Sequence, residues 1–301
     1  MKKNLSYTIL TIFKKESFNN KEFIELKLKE KDILDIGYSS FVDLAQIFFY
    51  KMLTPLKTDD EQLILKFQKL NSDNSFHKSI NNTNEKYGTD SEFFNINKDQ
   101  KFSFLYHYMQ VLNFVKINNK QKILNLGINK GDEFKIIKEM ISDKEFYKKE
   151  FLGLDYSHSA IEYAKEKLPY NNIKFLNADI NLIDQLNLNK FDLIITIGTL
   201  QSVNIDFKKT FMNLIQNYLE KDGSIILGFP NCRWIDQEMI YGATVPNYNF
   251  PEMSTVVKDI YFCKKYLQQK KFRVTLTGKD YIFLTATKIL KKNYFTLSNF
   301  S

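Results

Sequence analysis

Two carboxylates and a run of small residues hold most of the chemistry in this sequence. The run is Gly127-Ile128-Asn129-Lys130-Gly131, which follows the apolar stretch Lys122 to Leu126 and precedes the acidic pair Asp132 and Glu133. An apolar strand that breaks at small residues and restarts as a helix is a ligand loop at the carboxyl end of a parallel sheet. The dinucleotide pattern G-x-G-x-x-G fails, because the positions two and five residues after Gly127 are Asn129 and Asp132. Asp132 and Glu133 also stand at the helix start, where a pyrophosphate needs the positive end of the dipole. A nucleoside-like cofactor without phosphate is favoured over NAD. The two carboxylates end further apolar runs: Asp155 closes FLGLD (Phe151 to Asp155), and Asp179 lies in IKFLNADI (Ile173 to Ile180).

With Asn125, Gly127, Asn129 and Gly131 in register with acid-x-Gly-x-Gly-x-Gly, the chain resembles the class I S-adenosylmethionine-dependent methyltransferases. It departs from the family at Asn125, which replaces the acid, and at Asn129, which replaces the middle glycine. Asparagine is the non-glycine residue that best tolerates positive φ, so the loop keeps its shape. The resemblance implies S-adenosyl-L-methionine as cofactor. It also implies that Asp155 accepts hydrogen bonds from the ribose hydroxyls, that Asp179 meets the adenine amino group, and that Ile180 lies beside the ring. Tyr156 and Thr196, at the ends of the second and fourth strands, complete the implied cofactor set.

The acceptor belongs after strands four and five. Strand four, FDLIITIG (Phe191 to Gly198), leads into Thr199-Leu200-Gln201-Ser202 and lacks the Asn/Asp-Pro-Pro-aromatic motif of adenine and glutamine N-methyltransferases. Strand five, SIILGF (Ser224 to Phe229), leads into Pro230-Asn231-Cys232-Arg233-Trp234. Arg233 suits a carboxylate or phosphate with two parallel hydrogen bonds, and Trp234 and Tyr241 suit a stacking wall. Gln201, Asn231, Arg233, Trp234 and Tyr241 are therefore the acceptor-side candidates, and a packed loop with a surface ion pair is the plainer alternative. His107 is the candidate base, lying ahead of the first strand where relatives place a helix over the cofactor. His158 reads as a surface or cofactor-side residue, and His77 lies in a polar stretch.

The elements that must position these groups follow from hydrophobic period. Phe207, Phe211, Leu214, Ile215, Tyr218 and Leu219 recur at helical spacing between strands four and five. Residues 259–269 read as a helix, and two strands meet around Gly278, Lys279 and Asp280, a hairpin turn composition. The fold expected is α/β, a seven-stranded Rossmann-like methyltransferase sheet with an antiparallel last strand, over residues 91–301. Residues 1–90 form a smaller N-terminal accessory or cap region, or else a structural extension or oligomer contact. Within it, Phe41 to Leu53 reads as a helix closed by Thr54-Pro55, and Asn71 to Asp90 as a polar linker.

Composition narrows the partners. The 301 residues are 44% hydrophobic, enough for a sizeable core, and no apolar run is long enough to span a membrane. The lysine-flanked start MKKNLSYTILTIFKKES is broken by Ser6, Thr8 and Thr11 and has no cleavage site, so a secretion signal is disfavoured. Cys232 and Cys263 are too few for a disulfide framework or zinc site and suit a cytoplasmic protein. The net charge is +8, but only Arg233 and Arg273 are arginine among 43 basic residues. A nucleic-acid reader would use more arginine. The expected function is methyl transfer to an oxygen or nitrogen of a small or medium polar acceptor. The alternatives are an RNA methyltransferase, including a cysteine-dependent route through Cys232, and a degenerate fold that only binds.

Overall fold

The computed structural model describes residues 5–58, 61–71, 88, 89, 91, 94, 96–202, 204–236, 238–241 and 253–289. The chain divides into two compact units, Met1–Ser79 with Arg233–Tyr241, and Ile80–Cys232 with Gly242–Ser301.

The first unit runs α1 (Leu5–Phe18), β1 (Phe23–Lys29), α2 (Glu30–Ile36), α3 (Tyr38–Ile47), β2 (Tyr50–Met52), β3 (Leu56–Lys57) and β4 (Gln62–Lys69). Its strands are antiparallel, with β4 central between β1 and β2 and also pairing β3. β4 alternates, and Leu63, Leu65 and Phe67 face the core. There Phe13 of α1 meets Phe67 edge-on at 4.9 Å and Tyr50 at 5.5 Å. Leu5 to Phe18, which covers the described part of the lysine-flanked start, is thus a packed helix. The helix expected to reach Leu53 stops at Ile47. Phe49 turns the chain at φ 62°, and Tyr50 to Met52 pair with β4 instead. Aromatic residues favour a pleated, half-buried surface, and tertiary pairing overrides the helical period here.

The second unit carries α4 (Phe102–Phe114), β5 (Lys122–Leu126), α5 (Asp132–Met140), α6 (Asp143–Phe146), β6 (Glu150–Asp155), α7 (His158–Lys167), β7 (Ile173–Asn177), β8 (Phe191–Ile197), α8 (Phe207–Asn213), β9 (Leu219–Pro230), and later α9 (Met253–Gln269), β12 (Phe272–Gly278) and β13 (Tyr281–Lys288). A two-stranded hairpin, β10 (Cys232–Ile235) and β11 (Glu238–Tyr241), stands between β9 and α9. The seven-stranded sheet has the order β12-β13-β9-β8-β5-β6-β7. β5 to β9 are parallel and β13 is antiparallel to both neighbours, as expected of the methyltransferase sheet. Its central strands are buried on both faces, hence the near-continuous apolar runs of β5 and β8.

Register makes one edge of this sheet level. Leu126 lies opposite both Leu154 and Thr196, and Asp155 opposite Asn177. Because β13 runs the other way, it begins at this same carboxyl edge, where Tyr281 pairs with Pro230. Among the described residues, no helix is long and apolar enough to cross a membrane. The polar stretch expected between Asn71 and Asp90 falls mostly outside the described residues, as does the segment from residue 242 to 252.

Candidate functional site

The loop after β5 is built on three left-handed residues, Gly127 (φ 70°), Asn129 (φ 46°) and Gly131 (φ 90°). The expectation that asparagine supports the loop shape agrees with that geometry. Gly127 is also a close-approach position: a Cβ there would lie 2.0 Å from Thr199 Oγ1, and that hydroxyl donates to Leu126 O at 3.0 Å. Asp155, at the end of β6, grips the loop. Its Oδ2 accepts from Asn129 N at 2.7 Å, and Oδ1 accepts from Ser157 N at 3.0 Å. Burial raises the Asp155 pKa, and the backbone donors Ser157 and Asn129 oppose that rise. Asn177 holds the turn after β6 by donating to the carbonyls of Asp155 and Tyr156 at 3.1 and 2.7 Å. Tyr156 itself is exposed.

The remaining residues of the implied cofactor set lie along the same edge. Asp179 caps the short helical segment Ile180–Leu186, accepting from Asn181 N at 2.8 Å, and Ile180 is buried beside it. Thr196 is buried, and its Oγ1 has no partner among the described residues. Asn125 is buried, and its Nδ2 has no acceptor among the described residues. Lys130 reaches back from the loop to Phe94 O at 2.9 Å and Asn97 Oδ1 at 2.7 Å, tying the segment before α4 to the loop.

Asp132 and Glu133 open α5 directly after the loop. Both are buried, under α4 and the turn that precedes it. Glu133 Oε1 pairs with buried Lys98 Nζ at 2.8 Å. Burial opposes the Lys98 charge, but Glu133, Tyr281 and Asp132 outweigh it and raise its pKa. Burial pushes Asp132 up to about 6, with Lys98 pulling against it. Tyr108, wholly buried on α4, is raised by burial and then by the charge of Glu133, so its hydroxyl stays a donor.

The acceptor-side candidates divide between the two units. Gln201 and Asn231 stay with the sheet. Gln201 Oε1 is buried without a partner among the described residues. Asn231 ties the end of β9 to the β12–β13 turn, its N donating to Asp280 O at 2.7 Å and its Nδ2 to Lys279 O at 3.0 Å. Arg233, Trp234 and Tyr241 belong to the β10–β11 hairpin, which folds with the N-terminal unit. The Arg233 guanidinium lies 4.8 Å from the Phe49 ring centre, and burial lowers its pKa. Trp234 is buried, and the side chain of Tyr241 lies outside the described set. His107 is half-buried on α4, its Nδ1 without a partner.

A methyltransferase-domain family model matches residues 117–290, more than half of the chain. The chain belongs to the class I methyltransferases. No protein of curated function matches it in sequence. Solved structures resemble it at low identity and low TM-score. A methyltransferase described as S-adenosylmethionine-dependent, from Aquifex aeolicus, is 15% identical with a TM-score of 0.40, over 60% of this chain and 89% of its own. An O-methyltransferase from Bacillus cereus, solved with S-adenosylhomocysteine, is 14% identical with a TM-score of 0.44, over 61% and 81%. The O-methyltransferase TomG from Streptomyces achromogenes, solved with S-adenosylmethionine, is 11% identical with a TM-score of 0.43, over 61% and 80%.

The methyl donor of this class is S-adenosylmethionine, and the residues at the edge of the methyltransferase sheet suit it. Asp155 accepts from the backbone N–H groups of Ser157, Asn129 and Tyr156, and a carboxylate with about four lone-pair sites keeps room for a ribose hydroxyl. Among the described residues, buried atoms without partners occur on Asn125, Thr196, Asp132 and Glu133, on strands β5 and β8 and at the start of α5. Sequence reasoning missed Thr199, Asn177, Lys98 and Tyr108. The contact between Thr199 and Gly127 spans two strands and leaves no local pattern. Lys98 read as one more surface lysine in a lysine-rich chain.

Proposed function

We propose that this methyltransferase moves the methyl group of S-adenosylmethionine directly, in line, to an oxygen or nitrogen of a small or medium polar acceptor. The observation that carries this reading is the grip of Asp155 on Asn129 N, which brings a buried carboxylate and the left-handed loop together at the end of β6. When bound, the donor supplies a methyl carbon activated by the adjacent sulfonium charge. The chain's part is to hold the donor, to align the acceptor, and to exclude water, and alignment alone supplies much of the rate. A base is needed only for a protonated amine or an unactivated hydroxyl, and His107 is then the candidate.

The N-terminal region, residues 1–90, serves as an accessory cap to a catalytic domain over residues 91–301. The β10–β11 hairpin is the part of the catalytic sequence that folds with it. Arg233 and Trp234 belong to the acceptor in this reading, and Arg233 Nε, buried without a partner among the described residues, supports a role in holding an anionic group. The cysteine-dependent RNA route is poorly supported, because Cys232 is buried and burial, then the charge of Asp280, push its thiol well above the usual range. Two buried free thiols suit a reducing cytoplasm.

Calorimetry with S-adenosylmethionine, S-adenosylhomocysteine and NAD tests the cofactor. Binding of the adenosyl ligands alone is expected, and micromolar NAD binding without them overturns the reading. Methyl-labelled donor incubated with separated metabolite and RNA fractions then tests the acceptor, with label expected in the metabolites.

A further inference from the structure

We infer that Asp280, on the turn between β12 and β13, holds an amine-bearing group of the methyl acceptor. The inference deepens the acceptor reading above and rests on it. Asp280 stands at the carboxyl edge of the sheet, one residue before Tyr281 pairs with Pro230. It is 2% exposed, and among the described residues neither of its carboxylate oxygens has a hydrogen-bond partner.

The turn itself does not use that carboxylate. Asn231 N donates to the Asp280 backbone oxygen at 2.7 Å, and Asn231 Nδ2 to Lys279 O at 3.0 Å, so the turn's main-chain atoms carry the tie to β9. Carboxylates that serve the fold elsewhere in this unit behave differently. Asp155 accepts from Asn129 N, Asp179 from Asn181 N, Asp192 from Gln121 N and Lys122 N, and Asp206 from Lys209 N. A neighbour that feels the charge of Asp280 is the Cys232 thiol, which burial and that charge keep protonated and neutral.

A buried carboxylate is costly unless it is both paired and hydrogen-bonded. An ammonium group meets both needs, since it brings a positive charge and several N–H donors to the two oxygens together. A carboxylate or phosphate would be repelled from the same place. A divalent cation needs further ligands, and the described residues contain no group of three or more His, Cys, Asp or Glu able to hold one. The position suits the acceptor rather than the donor. Asp155 and Asp179, to which adenosine is assigned, lie on the β6 and β7 side of the sheet, whereas Asp280 lies across it, beyond β8. There the end of β8 meets the turn: a Cβ at Gly198 would lie 3.5 Å from Pro230 and 3.6 Å from the Tyr281 ring.

The test uses the full chain, S-adenosylmethionine labelled in the methyl group, and a small-molecule extract as the source of acceptor. The labelled product should be retained by a cation-exchange resin at neutral pH. Asp280→Asn keeps the shape of the side chain and removes its charge. With the acceptor so identified, its kcat/KM should fall about tenfold or more, while S-adenosylhomocysteine affinity by calorimetry stays within about twofold. A labelled product without an amine, or wild-type kcat/KM in Asp280→Asn, overturns the inference and leaves the adenosyl reading standing. An equal loss of S-adenosylhomocysteine affinity and turnover also overturns it, because that marks a structural role in the turn. A wild-type chain that binds S-adenosylhomocysteine and labels no small molecule overturns the acceptor reading, and the inference with it.

Discussion

Asp155 has two duties that one substitution separates. Its carboxylate orders the loop through Asn129 N and Ser157 N, and it keeps lone pairs for the ribose. Charge-assisted hydrogen bonds contribute about 1.5 to 3 kcal/mol each. Asp155→Ala is therefore expected to weaken S-adenosylhomocysteine by about 2 kcal/mol or more and to speed amide exchange at Asn129. Full affinity with unchanged exchange would mean that the end of β6 is not a cofactor contact. Asp132 supplies a second residue-scale test, on stability. Its pKa is raised from 3.8 to about 6, chiefly by burial, with Lys98, Glu133, Lys130 and Asp99 as the charges around it. A carboxyl whose folded pKa is raised binds its proton more tightly in the fold. Its stabilising contribution is full below about pH 4 and is lost as pH rises through about 6. Two pKa units correspond to about 3 kcal/mol. Urea denaturation at pH 7.5, an assay condition chosen at roughly the plateau of this linkage, should find Asp132→Asn more stable than wild type by about 1 to 3 kcal/mol. The gain should shrink toward pH 4. A variant less stable at neutral pH would show that the charge of Asp132 is already satisfied within the fold.

At the scale of elements, the β12–β13 hairpin shows how a strand enters the sheet at the site's own edge. Gly278 has φ 113°, and a Cβ there would lie 1.9 Å from the backbone oxygen of Tyr281. A backbone atom cannot swing aside as a side chain can. Gly278→Ala should cost about 2 kcal/mol or more. Because Asp280 O and Lys279 O receive Asn231, it should also loosen the end of β9. A melting temperature equal to wild type would contradict the close approach. This hairpin was legible in the sequence, since Gly278, Lys279 and Asp280 interrupt two β-prone runs. The loop at Gly127 and the carboxylate of Asp155 were legible for the same reason, each lying at the end of an apolar strand. The end of α3 was not: aromatic residues from Phe48 to Tyr50 continue a helical period, and only pairing of Tyr50 with Lys69 on β4 ends it. The buried state of Asp132 and Glu133 was equally hidden. It depends on α4 and on Lys98, 35 positions before Glu133, and one lysine in a lysine-rich chain carries no local sign of burial.

For the whole molecule, the consequential feature is that a hairpin from the catalytic sequence folds with the N-terminal unit. Residues 233–241 leave the end of β9, and Ile235 and Ile240 pack with Leu70 and Phe49 in a small apolar cluster. Arg233 stacks on Phe49 in that cluster, with Nε buried and without a partner among the described residues. The stack and the proposed acceptor clamp make different demands on the guanidinium. The stack uses its face, and a clamp uses its edge, so one residue can serve both. Arg233→Lys keeps the charge and loses both the planar stack and the two-pronged donor edge. Loss of the stack alone should lower stability by about 0.5 to 1 kcal/mol and leave turnover at saturating donor unchanged. The clamp reading requires more: kcat/KM for an anionic acceptor should fall about tenfold or more, while S-adenosylhomocysteine affinity stays within about threefold. Phe49→Leu is the control, since it removes the stack and keeps the edge. If Phe49→Leu and Arg233→Lys lower stability alike and neither changes kcat/KM with the acceptor found in the labelling experiment, Arg233 is a packing residue of the N-terminal unit. The acceptor must then be held by Gln201, Asn231 and their neighbours on the sheet.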